Sequence, residues 1–300
     1  MKDYSSKNED VPVRLKTHPL TEFWPIRLLL TAVAFIFLGL FLIMPLVIVF
    51  YNAIAEGFIA FKNVITNSEA LSSIRLTLIV IGLAVPLNIV FGILAAWAVT
   101  KFSFRGKQIL ISFIDLPLTV SPVISGTVFI LIFGLHGVLG EWLNSIHVKI
   151  VFAVPGIVLA TIFVTLPYVA RELIPLMQAQ GSSDEEAAVT LGASGWKTFF
   201  KITLPNIKWG LFYGVILCTA RAIGEFGAVS VVSGHIRGKT VTMPLEVEIL
   251  YNEYNFSAAF SIASLLALLS LAAMGLKKLT QYKTEKVALE HEKFLNITGV

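Results

Sequence analysis

The chain has 300 residues, 56% of them hydrophobic and 14% charged, with a mean hydropathy of +0.81 and a formal net charge of +4. Soluble domains carry about 25% charged residues, so the polar side chains here are too few to cover a water-facing surface, and the lipid bilayer is the expected solvent. The basic residues sit between apolar runs and form no stripe, which argues against a nucleic-acid partner, and the single cysteine, Cys218, excludes an internal disulfide and reads as a buried thiol.

Residues 1–26 mix both charge signs and lack the short apolar region of a signal peptide, so they are expected as a cytosolic N-terminal arm. Six apolar runs follow, at 27–51, 71–99, 108–134, 151–173, 207–232 and 256–276. Each is long enough to cross roughly 30 Å of hydrocarbon as a helix. Their unbroken apolarity disfavours a barrel, which needs alternation. The expected class is therefore all-α integral membrane, with about six transmembrane helices, a membrane domain over 27–279 and a cytosolic tail over 280–300.

The third run contains Pro117 and Pro122 in a segment that is polar for a span. Ser121 and Ser125, four apart, are expected on one helix face, either as packing glue or as the lining of a wet path. Asp115 reads as a capping or locally paired residue, and Arg75 as a side chain that snorkels to the headgroups.

Between the fourth and fifth runs, 181–205 reads as two short helices joined by a turn. Ser183 with Glu186 has the spacing of a capping box, and acidic residues at 184–186 suit a helix N-terminus. Ala187, Ala188 and Leu191 give the first helix a small apolar face, and Gly192 is placed to end it in the left-handed conformation. Ser194 is placed to cap a second helix presenting Trp196, Phe199 and Phe200, and Pro205 fits the entry to the fifth span. Such a hairpin either docks into a partner's groove or packs against its own bundle.

Arg221 and Glu225 fall near the middle of the fifth run. A charge at a helix centre costs about 2.5–3.5 kcal/mol on insertion scales, so neither is expected to face lipid. They are placed to pair, as a structural lock or as part of an anion path. In Gly234–Thr240 the spacing between glycines and the position of the first one both fail the phosphate-loop pattern, so a solvated loop is expected there, with His235, Arg237 and Lys239 as a second choice for contacting another protein. No metal-ligand spacing or nucleophile–base pair is visible.

Glu186-Ala187-Ala188, then Gly192 after three residues, then Ile202, Leu204 and Pro205 after nine more resembles the EAA loop of binding-protein-dependent ABC importer permeases. The resemblance implies a type I ABC importer permease (MetI-like) fold, in which 181–205 is the coupling loop seated in a cleft of a separate ATPase. It gives that role to Glu186, Ala187, Ala188, Leu191, Gly192, Trp196, Phe199, Ile202, Leu204 and Pro205. Arg171-Glu172-Leu173 and the stretches 204–209 and 220–238 are similar to the sulfate/thiosulfate permeases, on their W-type side.

That likeness implies a non-catalytic permease subunit with no cofactor of its own, ATP being bound by the partner ATPase. It also implies a second permease (T-type, or a second copy), an extracytoplasmic sulfate-binding protein and a bacterial inner-membrane location. Molybdate or tungstate is the neighbouring alternative cargo. A gradient-driven secondary anion transporter is the alternative from another class, and a carrier of that kind has no need of an ATPase dock. Arg221, Glu225, Ser121 and Ser125 are the candidates for the anion path.

With the N-terminus inside, Lys62, Arg75, Lys149, Arg237 and Lys239 fall outside and Arg221 within a span, while the rest of the 23 Lys and Arg fall inside. This imbalance predicts both termini in the cytoplasm. A reporter active only in the cytoplasm, fused to the C-terminus, is expected to be active; an active export-dependent reporter there would reverse the orientation.

Overall fold

The computed structural model describes residues 24–275. The arm expected at 1–26 lies outside them except for 24–26, which already belong to the first helix, and the tail expected at 280–300 lies wholly outside. The chain divides into two units, 1–48 and 49–300.

In the first unit the chain is helical from Trp24, and its side chains are nearly all exposed. The helix, α1 (Trp24–Ile54), contains a π turn at Gly39–Ile43. There the Met44 N–H donates to Gly39 O, five residues back, just before Pro45. Proline has no N–H and its ring collides with the carbonyl four residues earlier, so widening the turn lets the helix pass through it.

The second unit holds α2 (Phe58–Thr66), α3 (Ser68–Lys101), α4 (Lys107–Thr119), α5 (Pro122–Phe133), α6 (Gly140–Ser145), α7 (Val154–Gln180), α8 (Ser183–Thr190), α9 (Gly195–Ile223), α10 (Gly227–Ser233), α11 (Met243–Asn252) and α12 (Phe256–Gly275). Among the described residues, α1, α3, α7 and α12 are long and apolar enough to cross a membrane singly. The third and fifth runs are not the continuous helices that their apolarity predicts. α4 and α5 meet at 110°, and α9 and α10 at 51°, so up to six spans result if each bent pair counts as one.

Both breaks have local causes. Pro122 forces the residue before it out of the helical region, and Ser121 is extended at φ −58°, ψ 133°. Pro122 then occupies the first turn of α5, where a missing N–H costs nothing. At the other break Gly224 ends α9 and Phe226 (φ −120°) precedes α10. The breaks abut: a Cβ on Gly227 would lie 2.9 Å from Pro122 Cβ, and one on Gly126 would lie 2.8 Å from Ala228 O. Two glycines thus let α5 and α10 lie backbone to backbone, a packing mode suited to lipid, where small residues permit close approach.

α3 and α7 pack along one another and form the spine. In the half that carries α10, Leu76, Val80, Ile157, Val164, Val229 and Val232 form one core. In the half that carries α9, Val85, Leu173, Met177, Ile207 and Cys218 form another. Between them Asn88 Nδ2 of α3 donates to Thr165 Oγ1 of α7 at 2.7 Å, and Cys218 Sγ of α9 donates to Thr165 O at 3.7 Å. These groups are fully buried and tie three helices with polar contacts that have no competitor in lipid.

α3 meets α7 tightly at Gly92, where an added Cβ would lie 2.6 Å from Val169 Cγ1, 2.7 Å from Val169 Cβ and 3.1 Å from the Ala170 nitrogen. The last two are fixed to the α7 backbone and cannot swing aside as the far end of a flexible side chain could. Gly92→Ala is expected to destabilise the purified protein by about 1–3 kcal/mol, read as a lower midpoint of thermal unfolding in detergent.

Candidate functional site

The 181–205 segment is a hairpin held to one end of the bundle. Its first helix, α8, starts one residue earlier than the capping-box reading places it. Ser182, not Ser183, is the N-cap residue; its carbonyl accepts the Glu186 N–H at 2.9 Å, and its hydroxyl donates to the Glu186 carboxylate. The helix ends as expected at Gly192, with φ +84°. Gly192 N–H donates to Val189 O at 2.9 Å and Ala193 N–H to Ala188 O at 3.0 Å, the paired bonds that satisfy a helix C-terminus around a left-handed residue.

The second helix is not a separate short one. Ser194 stands at its N-cap without a side-chain capping bond, and the helix continues through a π turn at Phe199–Thr203 into α9. Pro205 explains the turn as Pro45 explains the one in α1: Leu204 N–H donates five residues back, to Phe199 O.

Side chains from three elements hold the hairpin. Lys101, in the last turn of α3, places Nζ 2.9 Å from Glu185 Oε1 and donates to Gly181 O. Thr203 Oγ1 donates to the same Glu185 oxygen at 3.1 Å, Asn206 Nδ2 to Asp184 Oδ2 at 3.2 Å, and Gln180 Nε2 to Asn206 O at 3.1 Å. Trp97 of α3 stands 4.8 Å from Phe199 and 6.5 Å from Trp196, ring centre to ring centre. An aromatic pair of this kind contributes about 0.5–1.5 kcal/mol beyond its burial.

These contacts sort the expected coupling residues. Ala188 and Phe199 are buried against the bundle, and Ile202 and Leu204 are half-buried. Glu186, Ala187, Leu191, Gly192, Trp196 and Pro205 are exposed. Leu191 is 88% exposed and Trp196 67%, with Val189 and Phe200 also open. Large apolar side chains left open to water are costly, and exposed patches of this kind are a feature of contact surfaces in general. Lys101 and Trp97 were missed by sequence reasoning, and Asp184 and Glu185 were read only as charges suited to a helix N-terminus. Lys101 and Trp97 sit at the end of an apolar run far from the hairpin, and no spacing rule joins them to it.

The charged pair of the fifth run is formed, across the break rather than along one helix. Arg221 Nη1 lies 2.6 Å from Glu225 Oε2, at ion-pair distance but without hydrogen-bond alignment, so that oxygen accepts no hydrogen bond. Glu225 Oε1 accepts the Ala228 N–H at 2.9 Å and so satisfies an orphan donor at the start of α10. Glu225 is buried, and the Arg221 side chain is 31% exposed. Ser125 is buried and its hydroxyl donates to Ser121 O at 3.1 Å, while Ser121 is exposed and stands outside the helix. The two serines therefore do not share a helical face.

Arg171, near the end of the fourth run, lies inside α7, which continues to Gln180. There it grips Asp115 of α4 with two hydrogen bonds, Nε to Oδ1 at 2.8 Å and Nη2 to Oδ2 at 3.3 Å. At the opposite end of the chain's spans, Arg237 joins Glu69 at 3.2 Å and also Glu253, so that loop is tied down by ion pairs rather than freely solvated. Burial pushes the nearby Glu246 carboxyl above its ordinary value, and Arg237 pulls it back. Among the described residues, no three His, Cys, Asp or Glu side chains gather as a metal site.

Residues 88–285 match the family described as binding-protein-dependent transport system inner membrane component. The chain is 48% identical over 244 residues to the sulfate transport system permease protein CysW of Escherichia coli K12, covering 81% of this chain and 84% of that one. It is 45% identical over 265 residues to CysW of Synechocystis, covering 88% and 96%. It is 34% identical over 236 residues to the E. coli K12 sulfate permease CysT, covering 79% and 85%. In structure it resembles a chain of a bacterial ABC transporter involved in importing the acidic polysaccharide alginate, with a TM-score of 0.70 at 17% identity over 86% of this chain and 96% of that one. The chain is an all-α, multi-pass membrane protein and belongs to the family of binding-protein-dependent transport system inner membrane components.

Removing Arg221 alone would leave a buried carboxylate without its counter-ion. Arg221→Gln is expected to cost on the order of 3 kcal/mol, and adding Glu225→Gln to restore most of it, both read by thermal unfolding in detergent.

Proposed function

We propose that this chain is a permease subunit of an ATP-driven importer for sulfate and thiosulfate in a bacterial inner membrane, with both termini in the cytoplasm. The hairpin carries this reading: an EAA-type loop whose inner face is clamped by α3 and α9 and whose outer face leaves Leu191 and Trp196 open. An ATPase groove is the partner that this surface fits, and the chain offers no nucleotide-binding motif of its own. Identity of 45–48% to sulfate permeases of the W type favours sulfate over molybdate or tungstate, and the 34% match to the T type suggests a related second permease as partner. An extracytoplasmic binding protein delivers the oxyanion. ATP-driven closure of the ATPases moves the hairpins and opens the path on the far side, and hydrolysis resets it.

The anion path runs by Arg221. Its guanidinium is partly open, and Glu225 holds it in place while lowering its net charge, which suits brief contact over tight capture. Glu225 and Ser125, both buried, act in this scheme as supports and not as contacts. In the Arg221→Gln, Glu225→Gln double variant, sulfate uptake is expected to stay low although the fold recovers.

The dock is tested by single cysteines, against a background in which Cys218 is buried. Leu191→Cys is expected to crosslink to the ATPase in native membranes, and Ala188→Cys, turned inward, to do so weakly. If neither Leu191→Cys nor Trp196→Cys traps a nucleotide-hydrolysing subunit, the reading fails.

A further inference from the structure

The hairpin is joined by peptide bonds to α7 and α9 alone, yet α3 holds it by side chains. Trp97 and Lys101 stand four residues apart and so share one face at the end of α3. Trp97 packs against Phe199 and Trp196 on the second arm of the hairpin. Lys101 reaches the first arm at Glu185, 2.9 Å away, with only 11% of the lysine side chain and 19% of the glutamate side chain exposed. The same Glu185 oxygen accepts the Thr203 hydroxyl from the π turn of α9, and Lys101 also donates to Gly181 O just past α7. One ion pair therefore joins α3, α8 and α9, with the end of α7 attached.

A lysine in a helix's last turn interacts well with the dipole while still facing water. Here the ammonium is turned away from water and committed to the hairpin. Charge-assisted bonds with a shared third partner hold their geometry better than an exposed pair does. α3 in turn packs along α7 and α9, and it carries Asn88 at the junction of the two cores. A displacement imposed at Lys101 is thus delivered to the whole spine.

We infer that Trp97 and Lys101 are positioning residues for energy coupling: a two-point grip by which movement of the hairpin draws α3 along with α7 and α9. This rests on the hairpin being the ATPase dock. Without the grip, ATPase closure moves the hairpin but α3 lags, so ATP is hydrolysed with less transport.

The test uses the full complex of this chain, its ATPase and its second permease in proteoliposomes, with sulfate-loaded binding protein, and reads radiolabelled sulfate delivered per ATP hydrolysed. Lys101→Met is expected to lower that ratio about fivefold with the ATPase still bound. Lys101→Arg should keep most of it, and the exchange of Lys101→Glu with Glu185→Lys, which restores the ion pair but not the bond to Gly181 O, should recover part of it. A purely stabilising role would change the unfolding midpoint and leave the ratio alone. An unchanged ratio in assembled Lys101→Met overturns the grip and leaves the dock standing. An unmodified chain that retains no ATPase overturns the dock and this inference with it. Should Lys101→Met fail to assemble, the exchange variant decides: a partly recovered ratio supports the grip, and an assembled but uncoupled exchange overturns it.

Discussion

In hydrocarbon a backbone N–H or C=O without a partner costs several kcal/mol, so any interruption of a helix has to be repaired within the protein. This chain interrupts its helices at Gly39–Ile43, at Ser121, at Phe199–Thr203 and around Gly224–Phe226. Each interruption is repaired by a nearby group. Two prolines are passed by π turns that shift the bond five residues back. Glu225 supplies the acceptor at the start of α10, and Ser121 O accepts both the backbone and the side chain of Ser125 at the start of α5. The bends that result bring α5 and α10 together, and the Arg221 side chain beside the second break stays partly open.

The same constraint shapes the hairpin. Its second arm is the beginning of α9, so the aromatic cluster at Trp196, Phe199 and Phe200 is continuous with a spanning helix. Pro205 and the π turn sit between the exposed arm and the span. A force applied to the arm therefore enters the membrane through a helix that is unbroken in its hydrogen bonding but locally wider, and through Lys101 into α3. Charges that look like docking residues are taken up by the chain itself: Asp184 and Glu185 bind its own side chains, while the large apolar side chains of Val189, Leu191, Trp196 and Phe200 stay open.

The charged pairs separate by reach. Arg221 and Glu225 are neighbours in sequence, and their pairing was legible, though its geometry was not, because Gly224 ends the helix between them. Asp115 and Arg171 belong to different helices, and only packing of α4 against α7 brings them together. The same holds for Lys101 and Glu185. A paired arginine inside a span carries a smaller net charge toward a passing anion, and its carboxylate also caps or braces the local backbone.

Composition and local pattern determined the solvent, the helical class, the number and approximate place of the apolar runs, the left-handed stop at Gly192 and the hairpin itself. These depend on transfer free energy and on backbone preferences within a few residues, which a sequence states directly. Tertiary structure alone decided that the third and fifth runs bend, that Ser121 and Ser125 part company, that Ala188 and Phe199 face inward, and that Lys101 and Trp97 hold the hairpin. Those outcomes depend on which residues distant in sequence arrive side by side, and that is fixed by the packing of whole helices rather than by any spacing along the chain.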